Sequence, residues 1–257
     1  MSWVVGEEVA RGATAVITRG APGTVVKTLT RALPPIVIEL EVAGTRAAMA
    51  AGLPVPALLA VDLDSEPPTL TFEFVDGTEL AQLYGEVGAA QVGRILADLQ
   101  HRVRQVPEPQ VIAIEEFLGF QLGQAAVPAG LRAAALRDLA RLTAHSRRVL
   151  CHMDLHDANV LRGPDGPVII DWMNASAAPP EADVARTRLV VGNERFNSPH
   201  QEEELTEVLA AYIARTEELM PGLVGASRAW DRVLAAARLD ERPGAEEREA
   251  ILARWGQ

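Results

Sequence analysis

The chain has 257 residues, 48% of them hydrophobic, and a formal net charge of -11. That length can bury a substantial core in one large domain or two lobes, while the acidic balance excludes a nucleic-acid partner, which needs a basic surface against phosphates. Cys151 is the only cysteine, so an intrachain disulfide is impossible. With no basic N-terminal region leading into a long apolar stretch, and no segment as long as a membrane span, the expectation is a soluble, cytoplasmic protein without a membrane partner.

In chain order, β-branched and alternating runs predict strands at Thr14 to Thr18, Val25 to Leu29, Ala57 to Asp62 and Leu70 to Phe74. Between the second and third, Ile36 to Ala51 predicts a helix that can begin near Pro34-Pro35 and ends before the breaker Gly52. After Gly77 helical periodicity dominates. Gln91 to Val106 places Val92, Ile95, Leu96, Leu99, Val103 and Val106 on one apolar stripe, with His101 expected on the polar side. Further helices are predicted at Leu131 to His145, Glu202 to Met220, Ala226 to Leu239 and Ala245 to Trp255, with Pro221-Gly222 and Pro243-Gly244 as turns. No internal repeat or low-complexity linker is evident.

Between the helices lies the most informative segment. Val149 to Leu161 reads V-L-C-H-M-D-L-H-D-A-N-V-L, and Val168 to Trp172 reads V-I-I-D-W. His152, Asp154 and Asn159 form the pattern H-x-D-x-x-x-x-N of a kinase catalytic loop, and Asp171 closes an apolar, strand-like run. Phosphoryl transfer from ATP needs one carboxylate to orient the attacking hydroxyl and accept its proton, and oxygen ligands to hold magnesium on the phosphates. Asp154 suits the first role; Asn159 and Asp171 suit the second. Any one of these residues alone would read as a turn or cap residue, but their joint spacing between two apolar runs favours catalysis. Cys151, beside the catalytic His in such a run, reads as an inert buried thiol.

With Met153 where protein kinases carry Arg, and Asp-Trp at 171 to 172 in place of Asp-Phe-Gly, the chain resembles the aminoglycoside phosphotransferase and choline kinase family. That family's motif is H-G-D-x-H-x-x-N followed by I-D-W or I-D-F. Met153 stands in place of the common Gly, a departure with no obvious chemical cost. No A-P-E-like segment follows Asp171, which disfavours a protein kinase.

The resemblance implies further roles. Lys27, the only lysine in the chain, stands in a predicted strand where the family has its phosphate-binding lysine; Arg is no simple replacement for a compact ammonium at that place. A Glu shortly before a G-L-P-V-P-like segment pairs with that lysine in the family. Glu39 and Glu41 both qualify and either could be a first-turn acid; the spacing to Pro54-Val55-Pro56 favours Glu41. Gly6 to Ile17 resembles the family's phosphate-covering hairpin, with Gly12, Ala13 and Thr14 at its tip. Glu73 to Gly77 resembles the hinge, so that Glu73, Phe74 and Val75 would border the adenine. Asp183 and Ala185 match the end of a G-x-P-x-x-D-x-A segment whose Gly is missing, and Asp183 is expected to cap a helix or anchor the catalytic loop. His156 is a motif position without an assigned transfer role.

The fold implied is α+β and protein-kinase-like, with an antiparallel-sheet N-lobe at residues 1–77 and a helical C-lobe at 78–257. The function implied is ATP- and Mg2+-dependent phosphorylation of a small-molecule hydroxyl. A cationic acceptor such as an aminoglycoside, amino sugar or choline-like metabolite would suit the acidic stretches at 201–204, 217–218 and 246–247, although runs of Glu on helices usually serve solubility. The alternative from another class is a catalytically silent nucleotide- or ligand-binding protein of the same fold.

Overall fold

The computed structural model describes residues 3–12, 14–29, 35–124 and 126–256. Five strands come first: β1 (Glu8–Arg11), β2 (Ala15–Arg19), β3 (Thr24–Leu29), then, after helix α1 (Pro35–Ala50), β4 (Leu58–Asp62) and β5 (Thr69–Glu73). They make one antiparallel sheet in the order β1-β2-β3-β5-β4. In the middle of this sheet Lys27 pairs with Ile17 on one side and Leu70 on the other. Alternation along the strands sends Ala15, Leu29 and Leu70 into a small core with Ile38 of α1.

The remainder is mostly helical. It contains β6 (Thr78–Glu79), α2 (Tyr84–Val87), α3 (Ala89–Val103), α4 (Ile114–Gly123), α5 (Ala129–Thr143), β7 (Val149–Cys151), β8 (Val160–Gly163), β9 (Gly166–Ile169), β10 (Ser176–Ala178), α6 (Pro180–Asn193), α7 (Glu202–Leu219), α8 (Leu223–Ser227), α9 (Asp231–Arg238) and α10 (Ala245–Trp255). This is the α+β, two-lobed, protein-kinase-like arrangement. Two short sheets, β10-β7 and β6-β8-β9, carry the loop between His152 and Asn159. One large apolar cluster, around Leu96, Leu150, Trp172 and Tyr212, joins α3 and α7 to that loop. A second, around Leu118, Leu139, Met153 and Trp230, packs α4, α5 and α9 beneath it.

Two glycines set close approaches. A Cβ on Gly93 of α3 would stand 2.2 Å from the Val208 carbonyl oxygen of α7, so this helix pair closes only over a bare backbone. A Cβ on Gly44 of α1 would stand 2.6 Å from the Trp172 carbonyl oxygen, which seats α1 directly against the segment following Asp171.

The predicted strands agree with β2 to β5 within a residue or two, and the predicted helices agree with α1, α5, α7 and α10 to similar precision; α3 ends at Val103, three residues before the predicted end at Val106. Three differences have physical reasons. α4 went unpredicted because Gly119 and Gly123 interrupt its short apolar stripe of Ile114, Leu118 and Leu122. α6 was also missed: it buries Asp183, Val184, Ala185, Arg186 and Thr187 in succession and therefore shows no amphipathic stripe. The continuous helix expected from Ala226 to Leu239 is instead α8 and α9, separated by a 3-10 turn at Arg228–Trp230. Among the described residues, no helix is long and apolar enough to cross a membrane.

Candidate active site

Lys27 presents its ammonium from the centre of β3 to two carboxylates. Nζ lies 2.6 Å from Glu41 Oε1 and 3.1 Å from Asp171 Oδ1. Glu39, the other acid at the start of α1, is exposed, whereas Glu41 is only 2% exposed. The two positions are roughly 200° apart on a helix of 3.6 residues per turn, so only one can face the sheet. Burial works against a charged Lys27, but the Asp171 and Glu41 carboxylates outweigh it and hold its pKa above the ordinary lysine value.

These groups open onto a cavity of about 610 Å³ between the sheet and the helical part. Its walls are apolar at Ala15, Val25, Phe72, Leu161 and Ile170 and polar at Lys27, Asn159 and Asp171, and Gly12, Thr14, Glu73, Phe74 and Val75 also border it. At the tip of the β1–β2 hairpin the Gly12 N–H donates to the Ala15 carbonyl at 2.9 Å; Ala13 lies outside the described residues. At the hinge, the Phe74 N–H is already taken by the Gly23 carbonyl at 2.9 Å. The Val75 N–H and carbonyl have no hydrogen-bond partner among the described residues, so Val75 carries the available backbone edge. The Phe74 ring meets Trp3 edge-on at 5.1 Å, and the Arg19 guanidinium lies over both rings. Trp3 and Arg19 were not anticipated, because a cation on two aromatic rings from three separate segments leaves no local pattern.

Asp154 does not line this cavity; it lies on the loop just beyond Asn159. The loop leaves β7 through His152, whose ring is fully buried, faces Trp172 edge-on, and has Nε2 3.1 Å from the Ile170 carbonyl oxygen. Burial lowers the His152 pKa, which keeps the ring neutral. Met153 then takes φ +60°. The Met-for-Gly replacement therefore does have a cost: an L side chain in the left-handed region is strained by about 1–2 kcal/mol. Three contacts pin this turn. The Met153 N–H donates to Asp183 Oδ1 at 2.8 Å, Arg186 Nε donates to the Met153 carbonyl at 3.0 Å, and the Met153 side chain is itself buried. Asp183 stands in the first turn of α6.

Asp154 Oδ1 accepts a hydrogen bond from Arg186 Nη2 at 2.9 Å. Burial would raise the Asp154 pKa, but the Arg186 guanidinium, by its charge and its hydrogen bond, outweighs it and holds the carboxyl below the usual aspartate value. Asn159 Nδ2 donates to the Asp154 carbonyl at 2.9 Å, which turns the Asn159 amide oxygen the other way. Asp171, like Met153, is left-handed, with φ 63° and ψ 67°. Asp157 sits between His156 and the Tyr84 hydroxyl, and these two partners outweigh burial and lower its pKa. Tyr84, Arg186 and Glu241 join the site unannounced, since each comes from a distant helix or turn. Cys151 is fully buried, and burial pushes its thiol pKa up.

The metal expected here can be tested against the donors. Among the described residues there is no group of three or more His, Cys, Asp or Glu placed to hold an ion. The cleft offers Asp171 Oδ2 and the freed Asn159 amide oxygen, a set of hard oxygens. It fits magnesium, which takes one or two protein ligands and fills its shell with phosphate and water oxygens.

Members of two of the acidic stretches are engaged by partners within the protein, one in its own turn and one in neighbouring helices. Glu217 accepts the Gly222 N–H, and Glu247, 1% exposed, bonds Arg238 and Asn193.

The sequence model described as "Phosphotransferase enzyme family" matches residues 7–223. Among solved structures, an aminoglycoside-3'-phosphotransferase of type VIII superposes with a TM-score of 0.68 at 20% identity, over 92% of this chain and 93% of that one. The aminoglycoside phosphotransferase APH(3'')-Id from Streptomyces rimosus, in complex with ADP and streptomycin, gives 0.62 at 18%, over 91% and 93%. An ethanolamine kinase from Plasmodium vivax gives 0.63 at 12%, over 96% and 81%. No curated protein matches the sequence.

Proposed function

Because the chain belongs to the phosphotransferase enzyme family, we propose that it transfers the γ-phosphoryl group of ATP to a hydroxyl of a small cationic molecule of the aminoglycoside, amino-sugar or choline class. The observation that carries this reading is the convergence of Lys27, Asn159 and Asp171 on one cavity, with Asp154 just outside its floor. In this reading residues 1–77 bind the nucleotide and residues 78–257 supply the catalytic loop and the acceptor side.

Adenine lies against Val25, Ala15 and Leu161 and hydrogen-bonds the free Val75 edge near Glu73 and Phe74, and the phosphates run under the hairpin tip at Gly12, Ala13 and Thr14. Lys27 exchanges part of its contact with Asp171 for phosphate oxygens while Glu41 keeps its side chain extended. Asn159 and Asp171 would hold magnesium, which when bound neutralises charge on the phosphates. Asp154 orients the acceptor hydroxyl and takes its proton; the acceptor oxygen bonds to the γ-phosphorus as the bond to the β–γ bridging oxygen breaks and ADP leaves. Positioning and charge neutralisation supply the rate.

Replacing Asp171 by Ala removes the only carboxylate among these ligands and should cut turnover by about 10³-fold or more, the scale at which charge stabilisation acts in phosphoryl transfer. Coupled ADP release at saturating magnesium ATP measures it. Wild-type turnover in Asp171→Ala would overturn the assignment.

A further inference from the structure

Arg186 is 4% exposed and bonds three partner residues at once. Its Nη2 reaches Asp154 Oδ1 at 2.9 Å, its Nε reaches the Met153 carbonyl at 3.0 Å, and on its far side Nη1 and Nη2 reach Glu241 Oε1 and Oε2 at 2.9 and 3.0 Å. Glu241 follows α9 and is also bonded by Arg238, which pairs with buried Glu247 of α10. Glu241, Arg238 and Glu247 all lie after residue 223, where the family match ends. A chain of ion pairs thus runs from the C-terminal helices to the catalytic loop.

We propose that Arg186 and Glu241 are positioning residues for the phosphoryl transfer, and that the C-terminal segment is thereby built into the catalytic geometry. The inference rests on the reading of Asp154 as the proton acceptor. A guanidinium is planar and offers five donors in a fixed fork, so three simultaneous partners leave Arg186 no alternative placement. Asp154 is bonded through Oδ1 only, and Oδ2 has no partner among the described residues. One oxygen is held and the other is left to meet the acceptor hydroxyl. Because the held oxygen faces a cation, the carboxylate also stays ionised and available to take the proton. Glu241 in turn offsets the charge of Arg186, which would otherwise be a buried guanidinium with a single carboxylate, and fixes the angle from which it reaches Asp154. The other ionisable groups around Asp154 are His152 and His156 of the same loop, with Asp183 and Asp171 beyond His152; neither histidine duplicates the Arg186 contact.

The test is magnesium-dependent ADP release from ATP, with water as the acceptor, between pH 4 and 8, in wild type, Asp154→Ala, Arg186→Met, Arg186→Lys and Glu241→Ala. The folded fraction of each protein is fixed by circular dichroism. Arg186→Met should lower kcat at neutral pH about 10- to 100-fold, less than the full 10²- to 10⁴-fold worth of acid–base catalysis. It should also bring an acidic limb into the profile at higher pH than in wild type, while KM for ATP stays within twofold. Arg186→Lys, which keeps the charge but cannot bridge three partners, should restore the limb to its wild-type position and only part of kcat. Glu241→Ala, at a side chain that is 22% exposed, should lower kcat severalfold, again with KM for ATP unchanged. An unmoved acidic limb in Arg186→Met, or wild-type kcat in Glu241→Ala, overturns the positioning role. Full turnover in Asp154→Ala overturns the reading of the base and the inference with it, and so the two failures are told apart.

Discussion

Two cations in this molecule each stand between two carboxylates, and they are built for opposite ends. Lys27 bridges Glu41 and Asp171 from a strand, with its ammonium at the wall of a cavity; Arg186, 4% exposed, bridges Asp154 and Glu241 from helix α6. In the first pair one acid is far more accessible, the Asp171 side chain being 40% exposed against 3% for Glu41; in the second the two are alike, Asp154 at 23% and Glu241 at 22%. A lysine ammonium is a compact charge on a flexible stem and can trade one oxygen for another. An arginine fork engaged on three sides cannot. In the proposed reading the first cluster exchanges partners with a phosphate, and the second keeps its partners while one carboxylate oxygen reacts. The same charge pattern serves two ends because the headgroup and its exposure differ.

The largest effect is expected at Lys27. Lys27→Met leaves Glu41 buried without a cation, and losing one partner of a buried pair costs about 3–5 kcal/mol; urea unfolding measures it. Near-neutral stability would show that Glu41 is not held as an ion. The next effect falls on the turn that carries Asp154. Met153→Gly relieves about 1–2 kcal/mol of left-handed strain but discards a buried side chain worth about 2–5 kcal/mol, for a net loss of up to about 4 kcal/mol. A rise in stability would mean that strain outweighs packing there. Smaller still, Tyr84→Phe removes the hydroxyl that donates to Asp157 and should cost about 1–2 kcal/mol, with ATP binding unchanged by calorimetry.

The pH response sharpens the same contrast. The Lys27 pKa is raised, so its contribution to stability is complete below the unfolded lysine value and is lost only above it, as pH rises through the folded value. The Asp154 pKa is depressed, so its contribution is complete above the unfolded aspartate value and is lost as pH falls through the folded one. Neither changes between pH 5 and 8. The Asp157 carboxylate and other acids outweigh burial and raise the His156 pKa, so what it contributes is complete below its unfolded value near pH 6.5 and declines above it. Melting curves across pH 6 to 8 should therefore show a small loss with rising pH that disappears in His156→Gln; an undiminished slope in that variant would place its origin elsewhere.

How much of this could be read from the chain divides along the same line. The side proposed to bind the nucleotide is written locally. Strand alternation marks β2 to β5, a lone lysine stands out among arginines, and the spacing from His152 to Asp171 is compact enough to be read as one motif. The support of the acceptor side is not written locally. Arg186 sits in a helix with no polar face, and Glu241 meets it across 55 residues, so neither leaves a periodic trace. The strain at Met153 is a matter of φ, and its one sequence-level sign was the Gly usual at that place. Tyr84 reaches Asp157 across 73 residues and is legible only in three dimensions. The choice of Glu41 over Glu39, favoured in the sequence by the spacing to Pro54-Val55-Pro56, follows in three dimensions from the rotation of α1 about its axis, with Gly44 seated close against Trp172.

The most direct measurement is coupled ADP release with magnesium and ATP across a panel of aminoglycosides, other cationic antibiotics, amino sugars and choline, comparing wild type with Asp154→Ala. The account predicts that at least one acceptor accelerates release in the wild type and that the acceleration vanishes in the variant. Tight ATP binding with no acceleration by any acceptor, or acceleration that survives in Asp154→Ala, would contradict it.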